Sequence, residues 1–294
     1  MSAAKTTRPR GFANWTPRPD TVALLGNVQE VLDEYSAHLP LTIRQVFYRL
    51  VGAAGYDKTE RAYSRLCEMM NRARRAGFIP FDAIRDDGGS RLGGAGWGSA
   101  AQYLRYLKSD AEAFQLDRQA GQPARLWLMC EAAGMAPMLA RAVRDYHIPV
   151  LSSGGFDSLT AKHDLAKELA RADLAEVLHI GDHDPSGVHL FTALQEDVSA
   201  MVRAKGGADP LFTRLAVTPE QTAALGLPTA PPKTTDRRAF EGETVQAEAI
   251  PPDVLASIVQ EAVIQRIDRA AYDAVLVREK SARAEILQRL EVLQ

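Results

Sequence analysis

Residues 178–190, LHIGDHDPSGVHL, set Asp182 and Asp184 two apart at the end of an apolar run, with Gly187 three residues further on. Inside a strand, side chains alternate with period two, so both carboxylates would point the same way. Just past a buried strand they would instead occupy the turn into the next helix. Either placement makes a compact, doubly negative, oxygen-rich site suited to Mg²⁺, a cation that favours carboxylates and keeps several waters. Without a cation the two acids would repel and raise each other's pKa. The plainer reading is that Asp184-Pro185-Ser186-Gly187 is only a turn and a helix cap, since these residue types are common there. His183 and His189 flank the pair, but the hard oxygen donors favour magnesium over a transition metal. That leaves the imidazoles to support or packing.

A second group with chemistry precedes the acids. In LTIRQVFYRL, Tyr48 follows Arg44 by four residues, one turn along the same face of a helix. A phenol can attack a phosphodiester if a cation stabilises the phosphate charge, and Arg44 is spaced for that role. A tyrosine on an amphipathic helix is also an ordinary packing residue. A third carboxylate, Glu131, ends the apolar run RLWLMCE.

The elements that must carry these residues are legible in outline. Residues 1–19 are polar with Pro9, Pro17 and Pro19, and read as a flexible arm. A helix begins at Asp20, its apolar pattern running through Val22, Leu25, Val28, Val31 and Leu32. A second is capped by Thr42 and buries Ile43, Val46, Phe47 and Leu50. A third runs from about Lys58 to Ala76 with Gly77 as its C-cap. FIPFDAIRDDGGS follows as an extended turn, the pattern of a winged helix-turn-helix whose wing succeeds the third helix. Gly88, Gly89, Gly93, Gly94, Gly96 and Gly98 mark a flexible loop before a helix from Ala100 to about Arg118.

The Gly121-Gln122-Pro123 break then suggests a boundary, giving a DNA-binding region over 20–120 and a second domain over 121–294. In that second half strands alternate with helices: RLWLMCE, IPVLSS, EVLHIGD and LFTRLAVT are separated by helical stretches. Such alternation predicts an α/β fold with a parallel sheet. Ligand sites of such sheets gather at the C-terminal strand ends, where Glu131, Asp182 and Asp184 would converge. Residues 228–253 are rich in proline and charge and read as a connector, and a helical extension closes the chain.

Charge adds a partner to this outline. Lys and Arg number 35 against 37 Asp and Glu, a formal net charge of −2, which is unpromising for a polyanion until its distribution is considered. Between Arg44 and Arg75 the only acids are Asp57, Glu60 and Glu68. Arg61, Arg65, Arg72, Arg74 and Arg75 crowd the third helix, which makes them candidate contacts for DNA phosphates. The two cysteines, Cys67 and Cys130, are too few for a disulfide framework and lack zinc spacing. No apolar run has the length of a membrane span, and MSAAKTTRPR lacks a secretory core. A cytoplasmic protein without membrane attachment is expected.

Taken together, Glu131 and the Asp182-x-Asp184-x-x-Gly187 spacing resemble a Toprim domain, the Mg²⁺-binding fold of topoisomerases and bacterial primases. With Arg44-x-x-Phe47-Tyr48 on a winged helix ahead of it, the chain resembles the A subunit of topoisomerase VI and the meiotic double-strand-break transesterase. Gly155, Phe156, Asp157 and Thr160 in SGGFDSLT, and DHDPSGVHL itself, extend the similarity over about residues 20–220. The tail ALGLPTAPPKTTDRR and VQAEAIPPDVL is similar to stand-alone relatives of that subunit in phages, plasmids and bacterial chromosomes, sometimes called Mini-A.

The resemblance implies a homodimer acting on double-stranded DNA. Tyr48 of one protomer would approach the metal site of the other and form a 5′-phosphotyrosyl link. It further implies that Asp182 and Asp184 hold Mg²⁺, with Glu131 a metal ligand or the acid–base for the leaving 3′ hydroxyl. The short arm leaves little chain to hold an ATPase B-type subunit, which would have to act in trans. Two features depart from the family pattern: Ala132 and Ala133 follow Glu131 where relatives carry Lys, and the glycine-rich stretch 88–98 has no counterpart. A Toprim nuclease without a covalent intermediate, and a non-catalytic DNA-binding protein, remain the alternatives.

Overall fold

A computed structural model describes residues 14–85, 96–152, 159–232, 238 and 240–291. The chain is a mixed α/β fold. It runs α1 (Pro19–Glu34), β1 (Leu41–Thr42), α2 (Ile43–Ala53), α3 (Glu60–Arg75), β2 (Ile84–Arg85) and α4 (Ala100–Glu112). Then follow β3 (Arg125–Cys130), α5 (Ala136–Val143), β4 (Val150–Ser152), α6 (Leu159–Leu169), β5 (Ala175–Ile180) and α7 (Pro185–Ala204). The chain ends with β6 (Leu211–Ala216), α8 (Pro219–Ala224), α9 (Pro252–Ile264) and α10 (Arg269–Glu291).

The expected parallel sheet is present, in the order β4-β3-β5-β6 with every pairing parallel. Its two faces follow from strand periodicity. Leu126, Leu128, Cys130, Leu178 and Ile180 join one hydrophobic cluster with α5, α9 and the N-terminal helices. Trp127, Met129, Ala175 and Val177 point the other way and pack with residues of α6 and α7. β5 is buried along its whole length, as a strand covered on both faces should be. The helices α1–α3 and the sheet thus share one contiguous core, which fixes α2 relative to the strand ends.

Local chemistry explains the element starts. Thr42 and Gln45 form a reciprocal capping box at α2, and Thr59 caps α3 through Ala62 N–H. α1 begins at Pro19 rather than Asp20, because proline is preorganised for a first helical turn. The expected flexible arm falls mostly outside the described residues. Its described end is packed, with Trp15 edge-on to Phe78 at 6.1 Å.

The residues after α3 bear on the expected wing, and the end of the fourth helix is corrected. After α3 the described residues form a one-turn 3₁₀ segment, Phe81–Ala83. Then comes β2, which pairs in parallel with β1; the expected wing would continue into the residues beyond. Residues 86–95 lie outside the described set. α4 ends at Glu112, short of Arg118, because the chain must turn to reach α10. There Leu116 N–H donates to Glu279 at 3.0 Å and Arg118 pairs with the same carboxylate at 3.2 Å. No helix among the described residues is long and apolar enough to cross a membrane.

Leu178 sits at the middle of the central strand with no exposed surface. Leu178→Ala is expected to lower unfolding stability by about 3 kcal/mol, the usual cost of a large core truncation. Urea unfolding followed by circular dichroism checks it.

Candidate functional site

The acids converge as their spacing suggested. Glu131 follows the last residue of β3, and Asp182 lies two residues beyond β5, so both project from the C-terminal edge of adjacent strands. Asp184 is the N-cap of α7 and accepts from Gly187 N–H at 2.6 Å. The turn-and-cap reading of Asp184 is therefore correct as far as it goes, and it coexists with the cluster.

Each acid commits one oxygen to a backbone N–H. Glu131 Oε2 accepts from Asp182 N–H at 2.9 Å, and Asp182 Oδ1 from Ala247 N–H at 2.8 Å. Among the described residues, the second oxygen of each of the three carboxylates accepts no hydrogen bond.

Close packing makes this geometry possible. A Cβ on Gly181 would stand 2.8 Å from Glu131 Oε2 and 2.5 Å from the His179 ring. A Cβ on Gly187 would overlap the Asp182 carbonyl oxygen and crowd Glu131 Oε2 at 3.2 Å. Both glycines are needed for close approach rather than for an unusual backbone angle. Burial, reinforced by the neighbouring Asp182, pushes the Glu131 carboxyl up from its ordinary range, and burial does the same to Asp182.

The cluster has a cation that the sequence reading missed. Arg214, in the middle of β6, donates to Gly181 O at 2.9 Å and to Asp182 O. Its Nη1 is buried and has no hydrogen-bond partner among the described residues. The guanidinium stabilises all three acids, while its own burial lowers its pKa. Ala132 and Ala133 left the site without an adjacent lysine; Arg214 supplies a positive charge from another strand. The available signal was a lone charge inside the apolar run LFTRLAVT.

Tyr48 and Arg44 reach the same region of the same chain. The segment Thr244–Ala249 forms a strap across the site. Val245 exchanges backbone hydrogen bonds with His183, 2.8 and 3.0 Å. Gln246 Oε1 accepts from the Tyr48 hydroxyl and from Arg44 at 3.2 Å. Ala247 N–H holds Asp182, as above. Glu248 accepts from Thr42 at 2.8 Å and pairs with Arg44 at 3.6 Å, while Arg49 donates to Ala249 O.

A cavity of about 470 Å³ lies between Arg44, Arg85, Glu131, Asp182 and Glu248. A second, of about 420 Å³, joins Tyr48 to Asp184. Tyr48 thus shares a cavity with Asp184 of its own chain, while Glu131 and Asp182 line the other one. Gln246 and Glu248 gave no signal beforehand, lying in an aperiodic, proline-flanked segment.

The five candidate arginines of α3 separate. Arg61, Arg65 and Arg72 are exposed, and their spacing puts them on one stripe, with Arg72 paired to Glu68 at 2.6 Å. Arg74 and Arg75 are half-buried; Arg74 stacks over Phe81 at 4.9 Å and Arg75 donates to Asn71 at 2.8 Å. His183 packs against Phe240 at 5.0 Å and His189 is exposed, so neither joins the carboxylates. Gly155, Phe156 and Asp157 lie outside the described residues, as does the Thr160 side chain.

The donor set suits a hard cation: three carboxylates, each with an uncommitted oxygen, at a site whose desolvated negative charge is only partly offset by Arg214. Among the described residues no three His, Cys, Asp or Glu side chains are already arranged to hold a metal ion. Mg²⁺ does not need such a cage, because it is commonly held by one or two carboxylates, waters and substrate phosphates. No protein-family model, curated protein or solved structure matches the chain.

Tyr48 is buried, and burial pushes its phenol up to about 12, against the opposing pull of Arg44. The folded value exceeds the 10.0 of a free tyrosine, so the native state keeps a proton that the unfolded chain loses in between. Tyr48's contribution to stability is therefore intact below pH 10 and declines as pH rises toward about 12. Tyr48→Phe is expected to remove that part of the alkaline decline, read as a smaller loss of denaturation midpoint between neutral and strongly alkaline buffer.

Proposed function

We propose that the protein is a Mg²⁺-dependent DNA-cleaving transesterase resembling the topoisomerase VI A subunit, with a winged-helix-like region preceding a Toprim-like domain. The observation that carries this reading is the strap. A tyrosine hydroxyl, an arginine and a strand-end carboxylate from distant parts of the chain are joined through the consecutive residues Gln246 and Ala247. A phenol, a cation and desolvated acids with uncommitted oxygens make up the equipment of phosphodiester transesterification.

In this mechanism Tyr48 Oη bonds to phosphorus and the bond from phosphorus to the 3′ oxygen breaks. The DNA 5′ end stays on the tyrosine, and the phenol proton is balanced by one delivered to the departing 3′ oxygen. At neutral pH Tyr48 is protonated, so it must shed its proton during attack. Glu131, whose pKa is raised by burial, is suited to carry a proton at the leaving oxygen. Arg44 steadies the phosphate. Mg²⁺, held by Asp182 and Asp184 with Glu131 beside them, would neutralise phosphate charge when bound. Arg61, Arg65 and Arg72 present a stripe for backbone phosphates, with Arg74 and Arg75 at its end. Double-stranded DNA is the substrate and a homodimer the form that cuts both strands, with any ATPase partner acting in trans.

A second reading has its own support. Tyr48 is only 6% exposed and its hydroxyl is engaged by Gln246, as a purely structural tyrosine would be. The protein would then be a nuclease using metal-activated water.

Incubation with duplex DNA and Mg²⁺ followed by denaturation separates these readings. The transesterase leaves a protein–DNA adduct that Tyr48→Phe and Glu131→Gln each abolish. Free 5′ phosphates that survive Tyr48→Phe identify the nuclease, and binding without cleavage identifies a DNA-binding protein that does no chemistry. Mixing the Tyr48→Phe and Glu131→Gln proteins then asks where the centre is assembled. A centre built within one chain gives no adduct in the mixture, whereas one shared between protomers regains it.

A further inference from the structure

Tyr48 lines two cavities: a small one of about 170 Å³ shared with Arg44, Lys58 and Glu60, and a larger one of about 420 Å³ that Arg44 does not line. Arg44 is paired with Glu248, donates to Gln246 and lies over the Tyr63 ring at 5.2 Å, so much of its charge is already answered. Lys58, just before α3, has a different position. Its Nζ stands 5.9 Å from the centre of the Tyr48 ring and donates to Pro228 O at 2.8 Å. An ammonium has three donors, so two remain. Lys58 makes no ion pair among the described residues.

Lys58 and Tyr48 line the cavity of about 420 Å³ together with Asp184, Ser186, Thr244 and Gln246. Among the described residues lining it, Lys58 is the one cation and Asp184 the one acid. Asp184 spends an oxygen on capping α7, a helix of 20 residues whose N-terminal end, with its positive partial charge, opens here. The half-buried amine is further from its ordinary protonation behaviour than an exposed lysine, because burial lowers its pKa. A part-buried ammonium with spare donors thus shares an open cavity with a helix N-terminus, its charge answered in part by Glu243 but by no direct ion pair among the described residues.

We propose that Lys58 is a substrate-binding residue. Its ammonium takes a non-bridging oxygen of the DNA phosphodiester that sits between Tyr48 and the start of α7. The choice of DNA as substrate rests on the transesterase reading; the phosphate site itself does not. Lys58 makes and breaks no covalent bond in the reaction. It holds the phosphate against the phenol and compensates the negative charge that grows on the phosphoryl oxygens during attack.

Pyridoxal 5′-phosphate, an aldehyde carrying a phosphate, is the direct probe on the full-length wild-type protein. Its aldehyde condenses with an amine, releasing water, and borohydride then donates hydride to fix the imine as a stable secondary amine located by peptide mass mapping. Lys58 is expected to be labelled well ahead of the exposed Lys108 and Lys280. Pyridoxal, which lacks the phosphate, is expected to label it poorly, and a short DNA duplex to protect it. Uniform labelling, equal labelling by pyridoxal, or no protection by the duplex overturns the proposal. Protection by inorganic phosphate as effective as that by DNA, at equal phosphate concentration, overturns it too, since the site would then take any small anion.

Adduct formation gives the second arm. Lys58→Met is expected to reduce it about a hundredfold, the usual loss on removing one charge-stabilising donor, with Lys58→Arg recovering part. Retention of full adduct formation in Lys58→Met overturns the proposal. If the wild type forms no adduct, the transesterase reading fails by itself, while the labelling still decides whether Lys58 holds a phosphate.

Discussion

The site depends on how closely a half-buried glutamate can approach the turn after β5. Glu131 Oε2 accepts the Asp182 N–H, and that one hydrogen bond fixes the strand-end carboxylate of β3 to the loop carrying the other two acids. It forms only because Gly181 and Gly187 present no side chain on the approaching surface. A methyl group at either position would push the strands' ends apart, or push Glu131 off the loop. Sheet register supplies the rest: β3 and β5 pair in parallel without a shift from Arg125–Ala175 to Cys130–Ile180, so their ends arrive together.

Electrostatics follow from that packing. Bringing Glu131, Asp182 and Asp184 into partial burial is costly without compensation, and each acid meets the cost first with a backbone N–H. Arg214 adds a positive charge from β6 but binds the backbone carbonyls of Gly181 and Asp182 rather than the carboxylate oxygens. The arrangement therefore leaves one oxygen of each acid without a hydrogen bond among the described residues and the charge incompletely neutralised. This is the condition under which a hard divalent cation has most to gain. Arg214 also explains how the cluster tolerates Ala132 and Ala133 after Glu131: the compensating charge need not come from the same strand.

Periodicity and punctuation made the scaffold readable before any coordinates. β3, β5 and α7 announce themselves through an apolar run, its terminal acids and an Asp-Pro cap, all of them local signals. The acids' convergence was also legible, because parallel strands collect their C-terminal ends on one edge. What was not legible depends on contacts distant in sequence. The strap carrying Gln246 and Glu248 lies about 200 residues from α2 and has no repeat or alternation to reveal it. The parallel pairing of β1 with β2 joins two strands of two residues each, too short for any alternation. The early end of α4 is dictated by Glu279 on α10, which no local window contains.

The strap also separates what must hold still from what must move. Its backbone is fixed at several points: by the paired bonds with His183, by Ala247 N–H to Asp182, and by Ala249 O accepting from Arg49. Releasing it would break all of these at once. The bond closing off Tyr48 is a side-chain bond between neutral groups, and such a bond contributes only about 1 kcal/mol net. Arg44 donates to the same Gln246 oxygen, and a phosphate entering beside Tyr48 would offset the loss of that bond by accepting from Arg44 in its place. Gln246 can turn away without disturbing Asp182, because the hydrogen bond to Asp182 comes from the backbone of the next residue. Tyr48 can thus be covered in the free protein while the carboxylate geometry stays intact, with the amide side chain as the element that exchanges for substrate.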